Sequence, residues 1–139
     1  MILVDAGPLV AAGNRTDIHH DACVRVLLAA RPPRLVSALV IAEVCYLLHR
    51  DGGPSVEADF LRSFESGFLT VADVDAADLA RMAGLVEQYG DLPLGGADAS
   101  VVALAERLGV TDVATLDLRH FRVVRPRHVA ALTLLPADG

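Results

Sequence analysis

The first residues of the chain form a short apolar run of β-forming side chains that ends in a carboxylate. Residues 2–4 are Ile-Leu-Val, Asp5 follows them directly, and a Gly-Pro pair comes next at Gly7 and Pro8. This order predicts a buried parallel strand over residues 2–5, then a short helix with Gly7 as its N-cap and Pro8 as its first residue. In open α/β sheets, ligands bind outside the carboxyl ends of the strands, near the point where the strand order reverses. Asp5 is therefore a candidate metal ligand or general base, and the alternative is a capping or turn aspartate.

The rest of the chain alternates between β-type runs and helical periodicities. Further strands are predicted at residues 34–37, 68–71, 112–115 and 131–135. Further helices are predicted at residues 16–30, 38–50, 55–67, 75–89 and 97–108. This alternation is typical of a three-layer α/β/α fold with a central, mostly parallel sheet, here of four to five strands. The length of 139 residues predicts a single domain over residues 1–139.

The charged residues exclude several classes of protein. The net charge is −6, every cation is an arginine, and the chain contains no lysine. Mechanisms that need a lysine, such as a P-loop or a Schiff base, are therefore excluded, and a phosphorylated receiver domain is not expected. The two cysteines, Cys23 and Cys45, show no CxxC or Cys/His spacing, which argues against a zinc site.

The apolar residues bear on partners and location. They make up 53% of the chain, which indicates that a partner or a second copy covers part of the surface. The N-terminus reaches Asp5 too early for a signal peptide, and the apolar run at residues 35–48 is too short to span a membrane. We therefore expect a cytosolic protein without a membrane partner.

Glu43 is the only charged residue in the apolar run at residues 35–48. An ionised carboxylate buried in such a helix would cost several kcal/mol unless it were paired or bound to a metal. The alternatives are a solvent-facing position or a salt bridge, since Arg50 lies two turns further along the same helix face.

Two more acids stand at the ends of predicted elements. Asp98 opens the helix at residues 97–108, where the helix macrodipole favours a negative charge, and that local role is its alternative explanation. Asp117 follows the strand at residues 112–115 as Asp5 follows the first strand. Its alternative is a capping or turn residue for the segment at 118–121.

The four acids are more informative together than singly. Carboxylates from four separate segments would repel one another at one sheet edge unless some were protonated or a divalent cation neutralised them. Oxygen ligands without cysteine or histidine are typical of Mg²⁺ or Mn²⁺. Such clusters hydrolyse phosphodiesters, and a carboxylate not committed to the metal can orient or deprotonate the water. We therefore predict a metal centre that is formed by Asp5, Glu43, Asp98 and Asp117.

A segment free of acids follows this last aspartate. Its basic residues are Arg119, His120, Arg122, Arg125, Arg127 and His128. RNA phosphates need positive charge of this kind beside an acidic metal centre, so Arg119, Arg122 and Arg125 are candidate RNA-binding residues. The alternatives are a solvated loop or a surface that docks a protein partner. Tyr46 is predicted to lie in the core, as are Tyr89 and Phe121, which would leave few rings for base stacking.

With these motifs the chain resembles the PIN domain family, and more closely the VapC toxins of type II toxin–antitoxin systems. Besides the acids at Asp5 and Glu43, the similar pieces are Tyr-Gly-Asp-Leu-Pro-Leu at 89–94, Ala-Asp-Ala at 97–99, Val-Ala-Leu-Ala-Glu-Arg-Leu-Gly at 102–109 and Ala-Thr-Leu-Asp-Leu-Arg-His-Phe at 114–121. The resemblance implies a Mg²⁺-dependent endoribonuclease whose acidic quartet is Asp5, Glu43, Asp98 and Asp117, with Asp5 and Asp98 as the principal metal ligands. It also implies a homodimer and a neutralising antitoxin that covers the active-site groove.

One position departs from the family pattern. Where the family often has a hydroxyl residue two positions after the first acid, this chain has Gly7, so a hydrogen bond that supports the metal ligands would be missing. Thr115 keeps a hydroxyl near Asp117 and is a candidate to supply that support.

The sequence leaves two alternatives to a nuclease. A module with the PIN fold that binds RNA or protein without cleaving is favoured by Gly7 and opposed by the intact acidic quartet. A phosphatase of the haloacid-dehalogenase type also begins with a strand-ending aspartate. That chemistry needs a second acid two residues later and a lysine, and both are absent from this sequence.

Overall fold

The structure is a computed structural model, and it describes residues 1–137. In chain order, the strands are β1 (Ile2–Val4), β2 (Arg34–Ser37), β3 (Thr70–Ala72), β4 (Asp112–Ala114) and β5 (Thr133–Leu135). The helices are α1 (Ala6–Ala12), α2 (His20–Ala29), α3 (Ala38–Glu65), α4 (Ala76–Gln88), α5 (Gly96–Leu108) and α6 (Leu118–Val123). The predicted α/β fold with a central parallel sheet is confirmed.

The strands form one sheet in the order β3-β2-β1-β4-β5, and every neighbouring pair is parallel. β1 lies at the centre, where Leu3 is paired with Leu35 of β2 on one side and with Val113 of β4 on the other. The chain leaves β1 toward β2 and β3, and later returns to the other side of β1 as β4. This reversal of strand order creates a crevice at the carboxyl ends of β1 and β4.

The helices cover the sheet on both faces. α1 packs against α2 and α3, while α4 packs against α5. Right-handed crossovers place these two groups on opposite faces, so the central strands lie between two layers of helices. Leu3, Val4, Val36 and Val113 of the strands are accordingly fully buried. None of the helices within residues 1–137 has the length and apolar character needed to cross a membrane.

The two N-terminal helices begin at other residues than predicted. Asp5, not Gly7, is the N-cap of α1, so Pro8 falls in the first turn, where a backbone N–H has no intrahelical partner. α2 begins at His20 instead of residue 16, because the Asn14 side chain accepts a hydrogen bond from the Thr16 backbone N–H at 3.1 Å. Side chains that bind nearby backbone in this way favour turns over helix.

Two later elements also differ from the prediction. The helices predicted at 38–50 and 55–67 are the two halves of α3, which breaks at Gly53, where φ is 78° and lies in the left-handed region that favours glycine. The strand predicted at residues 68–71 begins later, at Thr70. The backbone N–H of the buried residue Leu69 donates to the Ser63 carbonyl of α3 and so is not available to the sheet.

Candidate active site

Asp5 lies at the carboxyl end of the central strand and points into the crevice. Its backbone N–H donates to the Ala114 carbonyl of β4 at 2.9 Å, which fixes the start of α1 against the neighbouring strand. The side chain is only 5% exposed. Burial raises the pKa of Asp5, and hydrogen bonds from the Ala6 backbone N–H and the Thr115 hydroxyl act against that increase.

Thr115 connects the acids that follow the two central strands. Its hydroxyl donates to Oδ2 of Asp5 at 2.9 Å, and the Asp117 backbone N–H donates to the same hydroxyl at 2.9 Å. Because Thr115 is 1% exposed, water does not compete for these bonds. The predicted contact of Thr115 with the acidic cluster is therefore present, although its functional role stays a prediction.

Gly7 also borders the crevice. A Cβ atom added at Gly7 would lie 3.2 Å from Cβ of Leu116, which is a crowded contact. A hydroxyl residue at this position would press on Leu116, whereas Thr115 reaches Asp5 from the other strand without such crowding.

Asp98 approaches the crevice from the first turn of α5. A hydrogen bond connects the N-terminal ends of α3 and α5, because the hydroxyl of Ser37, the N-cap of α3, lies 2.7 Å from the Ser100 hydroxyl of α5. Burial, together with the charges of Asp5 and Asp117, raises the pKa of Asp98 to about 6. These carboxylates therefore lie close enough to oppose one another's ionisation.

Glu43 lies on the side of α3 that faces the crevice, and it is exposed. Of the predicted environments, burial is wrong and the solvent-facing alternative is observed, because the helical neighbours Leu39 and Tyr46 are 39% and 67% exposed. The alternative salt bridge is not observed either, since Arg50 bonds to Asp51 at 2.8 Å. Partial desolvation raises the pKa of the Glu43 carboxyl, and the charge of Asp5 adds to this.

The structure thus brings all four predicted acids to one cleft of roughly 480 Å³. Its lining residues are Asp5, Ala6, Gly7, Glu43, Asp98, Leu116 and Asp117. The acids come from four different elements or their ends, so the convergence is a property of the tertiary fold. Their roles as metal ligands and catalysts stay predictions.

His120 contacts two acids of this cleft, a placement that its sequence position did not predict. It lies on α6, where Asp117 is the N-cap and accepts a hydrogen bond from the His120 backbone N–H at 3.1 Å. Nδ1 of His120 lies 2.6 Å from Oδ2 of Asp117 and 3.1 Å from Oδ2 of Asp98. The sequence signal for this contact is the three-residue spacing between Asp117 and His120. That spacing brings two side chains together only on a helix, and no helix was predicted at residues 118–123.

The side chains present fit a divalent cation. One ligand atom each from Asp98, Asp117 and His120 lies within 4.8 Å of the others, and Asp5 and Glu43 line the same cleft. The set consists mainly of carboxylate oxygens, which is the donor chemistry that hard divalent cations prefer. The raised pKa values of Asp5, Glu43 and Asp98 also indicate negative charges that a cation would stabilise.

The three candidate RNA-binding arginines are exposed on and after α6. The Arg125 guanidinium donates to the Arg122 carbonyl at 2.8 Å, and its backbone N–H donates to the Tyr89 hydroxyl at 3.0 Å. These bonds hold the segment that follows α6 against the end of α4. Contact of Arg119, Arg122 and Arg125 with RNA stays a prediction.

The fold and the acidic cleft define an α/β protein with a candidate divalent-metal centre at the reversal point of a parallel sheet. The sequence matches the PIN domain over residues 2–126, and the chain belongs to that family. The family membership predicted from the sequence is thereby confirmed.

Individual proteins similar to this chain support the same family. The chain is 31% identical to ribonuclease VapC26 of Mycobacterium tuberculosis strain ATCC 25618 / H37Rv over 135 residues, which are 97% of this chain and 100% of that protein. The crystal structure of VapC20 of Mycobacterium tuberculosis, a sarcin-ricin loop cleaving toxin, has a TM-score of 0.76 at 22% identity, covering 81% of this chain and 87% of that one. FitAcB of Neisseria gonorrhoeae has a TM-score of 0.63 at 18% identity and 96% coverage of both chains. The predicted similarity to VapC proteins is confirmed, and the two solved structures show that the fold is shared.

Proposed function

We propose that this chain is a metal-dependent endoribonuclease and the toxin of a type II toxin–antitoxin system. The observation that carries the proposal is the convergence of Asp5, Glu43, Asp98 and Asp117 on one cleft at the reversal point of the sheet. The similarity to ribonuclease VapC26 over nearly the whole of both chains supports the same activity. The whole chain would act as one catalytic domain.

The proposed cofactor is Mg²⁺, with Mn²⁺ as the alternative. Asp5, Asp98 and Asp117 would hold it, and His120 lies close enough to add a nitrogen ligand. A nitrogen ligand would count against Mg²⁺, because Mg²⁺ is a hard cation that prefers oxygen ligands. A bound cation would lower the pKa of an attacking water and stabilise negative charge on the phosphodiester.

The chain's own residues have separable roles in this proposal. Glu43 is exposed and free of ion pairs among the described residues, and its raised pKa suits a carboxylate that orients a water or accepts its proton. Thr115 keeps Asp5 in one rotamer by the hydrogen bond at 2.9 Å. His120 holds the Asp117 and Asp98 carboxylates toward each other.

The proposed partners follow from the similarity to VapC toxins. RNA phosphates would bind the exposed residues Arg119, Arg122 and Arg125, which directly follow the cleft residue Asp117. A cognate antitoxin would cover the cleft, and a second copy of the chain would cover apolar surface such as Leu28, which is 65% exposed. An RNA substrate and a protein antitoxin would support a cytosolic location for the proposed activity.

The test is induced expression of the wild type and of Asp98→Asn, with growth and total RNA followed in each culture. We expect arrest and discrete RNA fragments from the wild type alone. Asp21→Asn is the matched control, because Asp21 is an exposed acid in the first turn of α2, away from the cleft. If the purified, folded wild type left RNA intact with both Mg²⁺ and Mn²⁺, the nuclease would be rejected in favour of a non-cleaving binding module.

A further inference from the structure

Tyr46 is an exposed ring beside the proposed active site. It was predicted to lie in the core, but 67% of its surface is exposed on α3. Tyr46 follows Glu43 by three residues, which on a helix leaves about 5–6 Å between their Cβ atoms. The ring therefore lies one helical turn from Glu43, which lines the cleft, although Tyr46 is not itself one of the lining residues.

The other aromatic residues are not available for a ligand in this way. The chain contains four phenylalanines, two tyrosines and no tryptophan. The five rings other than Tyr46 are buried or half-buried, namely Phe60, Phe64, Phe68, Tyr89 and Phe121. Since all six rings lie within residues 1–137, Tyr46 is the one phenylalanine or tyrosine of the chain that presents most of its surface to solvent.

The surroundings of Tyr46 are polar. Its neighbours one turn away along α3 are Ala42, Glu43, His49 and Arg50, and all of them are exposed. The cores of protein–protein interfaces are enriched in tyrosine and arginine but depleted in glutamate, so the exposed Glu43 beside the ring argues against an interface core. A single ring among charged groups is the arrangement in which a nucleobase stacks while the phosphates stay near cations.

We propose that Tyr46 stacks on a base of single-stranded RNA next to the phosphate that is cleaved. This inference rests on the proposed ribonuclease function and adds a substrate-positioning residue to it. Glu43 and Tyr46 lie on one face of α3, so a strand that places its scissile phosphate over the acids can lay the adjoining base on the ring. Because every base can stack on a ring, Tyr46 would select single-stranded over double-stranded RNA and would not select among the four bases.

The test measures RNA binding by the full chain carrying Asp98→Asn, which keeps the RNA intact. The probe is a short oligouridine with one central 2-aminopurine, a base whose fluorescence is quenched by stacking. We expect quenching with Tyr46 and with Tyr46→Phe, which retains the ring. Tyr46→Ala should abolish the quenching and weaken binding roughly 5- to 100-fold. Leu61→Ala is the matched control, because Leu61 is 46% exposed on the far half of α3.

Three outcomes would overturn the stacking proposal. The first is an absence of quenching with Tyr46 in place, and the second is equal quenching and affinity in Tyr46→Ala. The third is a change of oligomeric state in Tyr46→Ala, measured by light scattering, with RNA affinity per protomer unchanged, since this would make Tyr46 an interface residue.

The proposed nuclease activity is measured separately, as cleavage of total RNA by chains with Asp98 intact. We expect Tyr46→Ala to raise KM by the factor seen in binding and to leave kcat within about twofold, because the ring would bind ground and transition states alike. Quenching without any cleavage would reject the nuclease alone. Cleavage that is insensitive to Tyr46→Ala would reject the stacking alone.

Discussion

The Thr115 hydroxyl donates a hydrogen bond to Oδ2 of Asp5 at 2.9 Å across the two central strands, although 110 positions separate these residues in the chain. The same hydroxyl accepts the Asp117 backbone N–H, so one oxygen sets the relative position of two acids of the cleft. Groups that orient metal ligands in this way commonly change metal affinity or activity by about 10- to 100-fold.

Thr115→Val should therefore weaken divalent-metal binding by about 10- to 100-fold, because Asp5 loses the bond that fixes its rotamer. Titration calorimetry with Mn²⁺ and Mg²⁺ measures the change. Thr115→Ser retains the hydroxyl and should bind the metal nearly as the wild type does. Equal affinities in the valine and serine variants would show that this bond does not organise the site.

Asp98 should make the folded chain less stable as the pH rises. Its pKa is about 6 in the folded chain against an ordinary 3.8, so the native state holds this proton more tightly than the unfolded state does. The contribution of Asp98 to stability is then most favourable below pH 3.8, falls between pH 3.8 and about 6, and stays low above that range. Asp98→Asn removes this dependence and should be more stable than the wild type above pH 6, by about 1–3 kcal/mol.

Urea unfolding of both proteins across this pH range, in the presence of a chelator, measures the difference. Added Mn²⁺ should stabilise the wild type above pH 6 and leave Asp98→Asn unchanged, because a ligand that binds only the native state raises its stability. A wild type that is as stable as Asp98→Asn at every pH would contradict the raised pKa.

The convergence of the strand-ending acids could be predicted from the sequence. Asp5 and Asp117 each follow an apolar β-type run, and the carboxyl ends of parallel strands meet at one sheet edge. The order of the strands could not be predicted, because it depends on pairings such as Leu3 with Val113, which no local pattern encodes. The hydrogen bond between Thr115 and Asp5 depends on the same pairing of β1 with β4.

The environment of Glu43 was predicted wrongly for a physical reason. The run at residues 35–48 is apolar on all sides of the helix, so hydropathy does not tell which side meets the core. Within residues 38–48, the helical part of this run, only the stripe of Val40, Val44 and Leu48 is buried, which leaves Tyr46 and Glu43 on the open side. His120 was missed because α6 spans only Leu118–Val123, which is too short for a helical periodicity to be recognised.

Glu43→Gln should lower kcat by about 10²- to 10⁴-fold and leave metal affinity nearly unchanged, if the carboxylate accepts the proton of the attacking water. The raised pKa of Glu43 gives the sign of the pH effect: activity should rise with pH as the carboxyl ionises, and the glutamine variant should lack that rise. Single-turnover cleavage at a series of pH values measures both. Glu65→Gln, an exposed acid at the far end of α3, is the control and should cleave normally.

Arg119→Gln should weaken RNA binding to a similar degree for all RNA sequences. It should also lower the slope of log affinity against log salt concentration by about 0.7, because each phosphate contact on a single strand releases about that fraction of a counterion. Fluorescence anisotropy at several salt concentrations measures the slope. Arg25→Gln is the control, because Arg25 is an exposed arginine of α2 outside the acid-free segment. An equal slope in Arg119→Gln and the wild type would show that Arg119 does not contact an RNA phosphate.

Arg107 should stabilise the packing of α4 on α5 without a direct role in cleavage. Its guanidinium bonds both carboxylate oxygens of Asp78, whose side chain is 4% exposed. Burial by itself would raise the pKa of Asp78, but the bonds from Arg107 and from the Asp75 backbone N–H outweigh it and lower that pKa below 3.8. The stability from this pair is thus present above pH 3.8 and is lost as the pH falls through the lower, folded-state pKa.

Arg107→Ala leaves the buried Asp78 carboxylate without its cation and should lower the free energy of unfolding by about 2–3 kcal/mol at neutral pH. This is less than the full penalty for a buried pair, because Arg107 itself is partly exposed. Arg62→Ala breaks the surface pair with Asp59 at 3.6 Å and should change stability by less than about 0.5 kcal/mol. Urea unfolding measures both variants, and kcat of the folded Arg107→Ala protein should stay near the wild-type value. A loss of kcat in that variant would mean that the pairing of α4 with α5 positions Asp98, which lies at the start of α5.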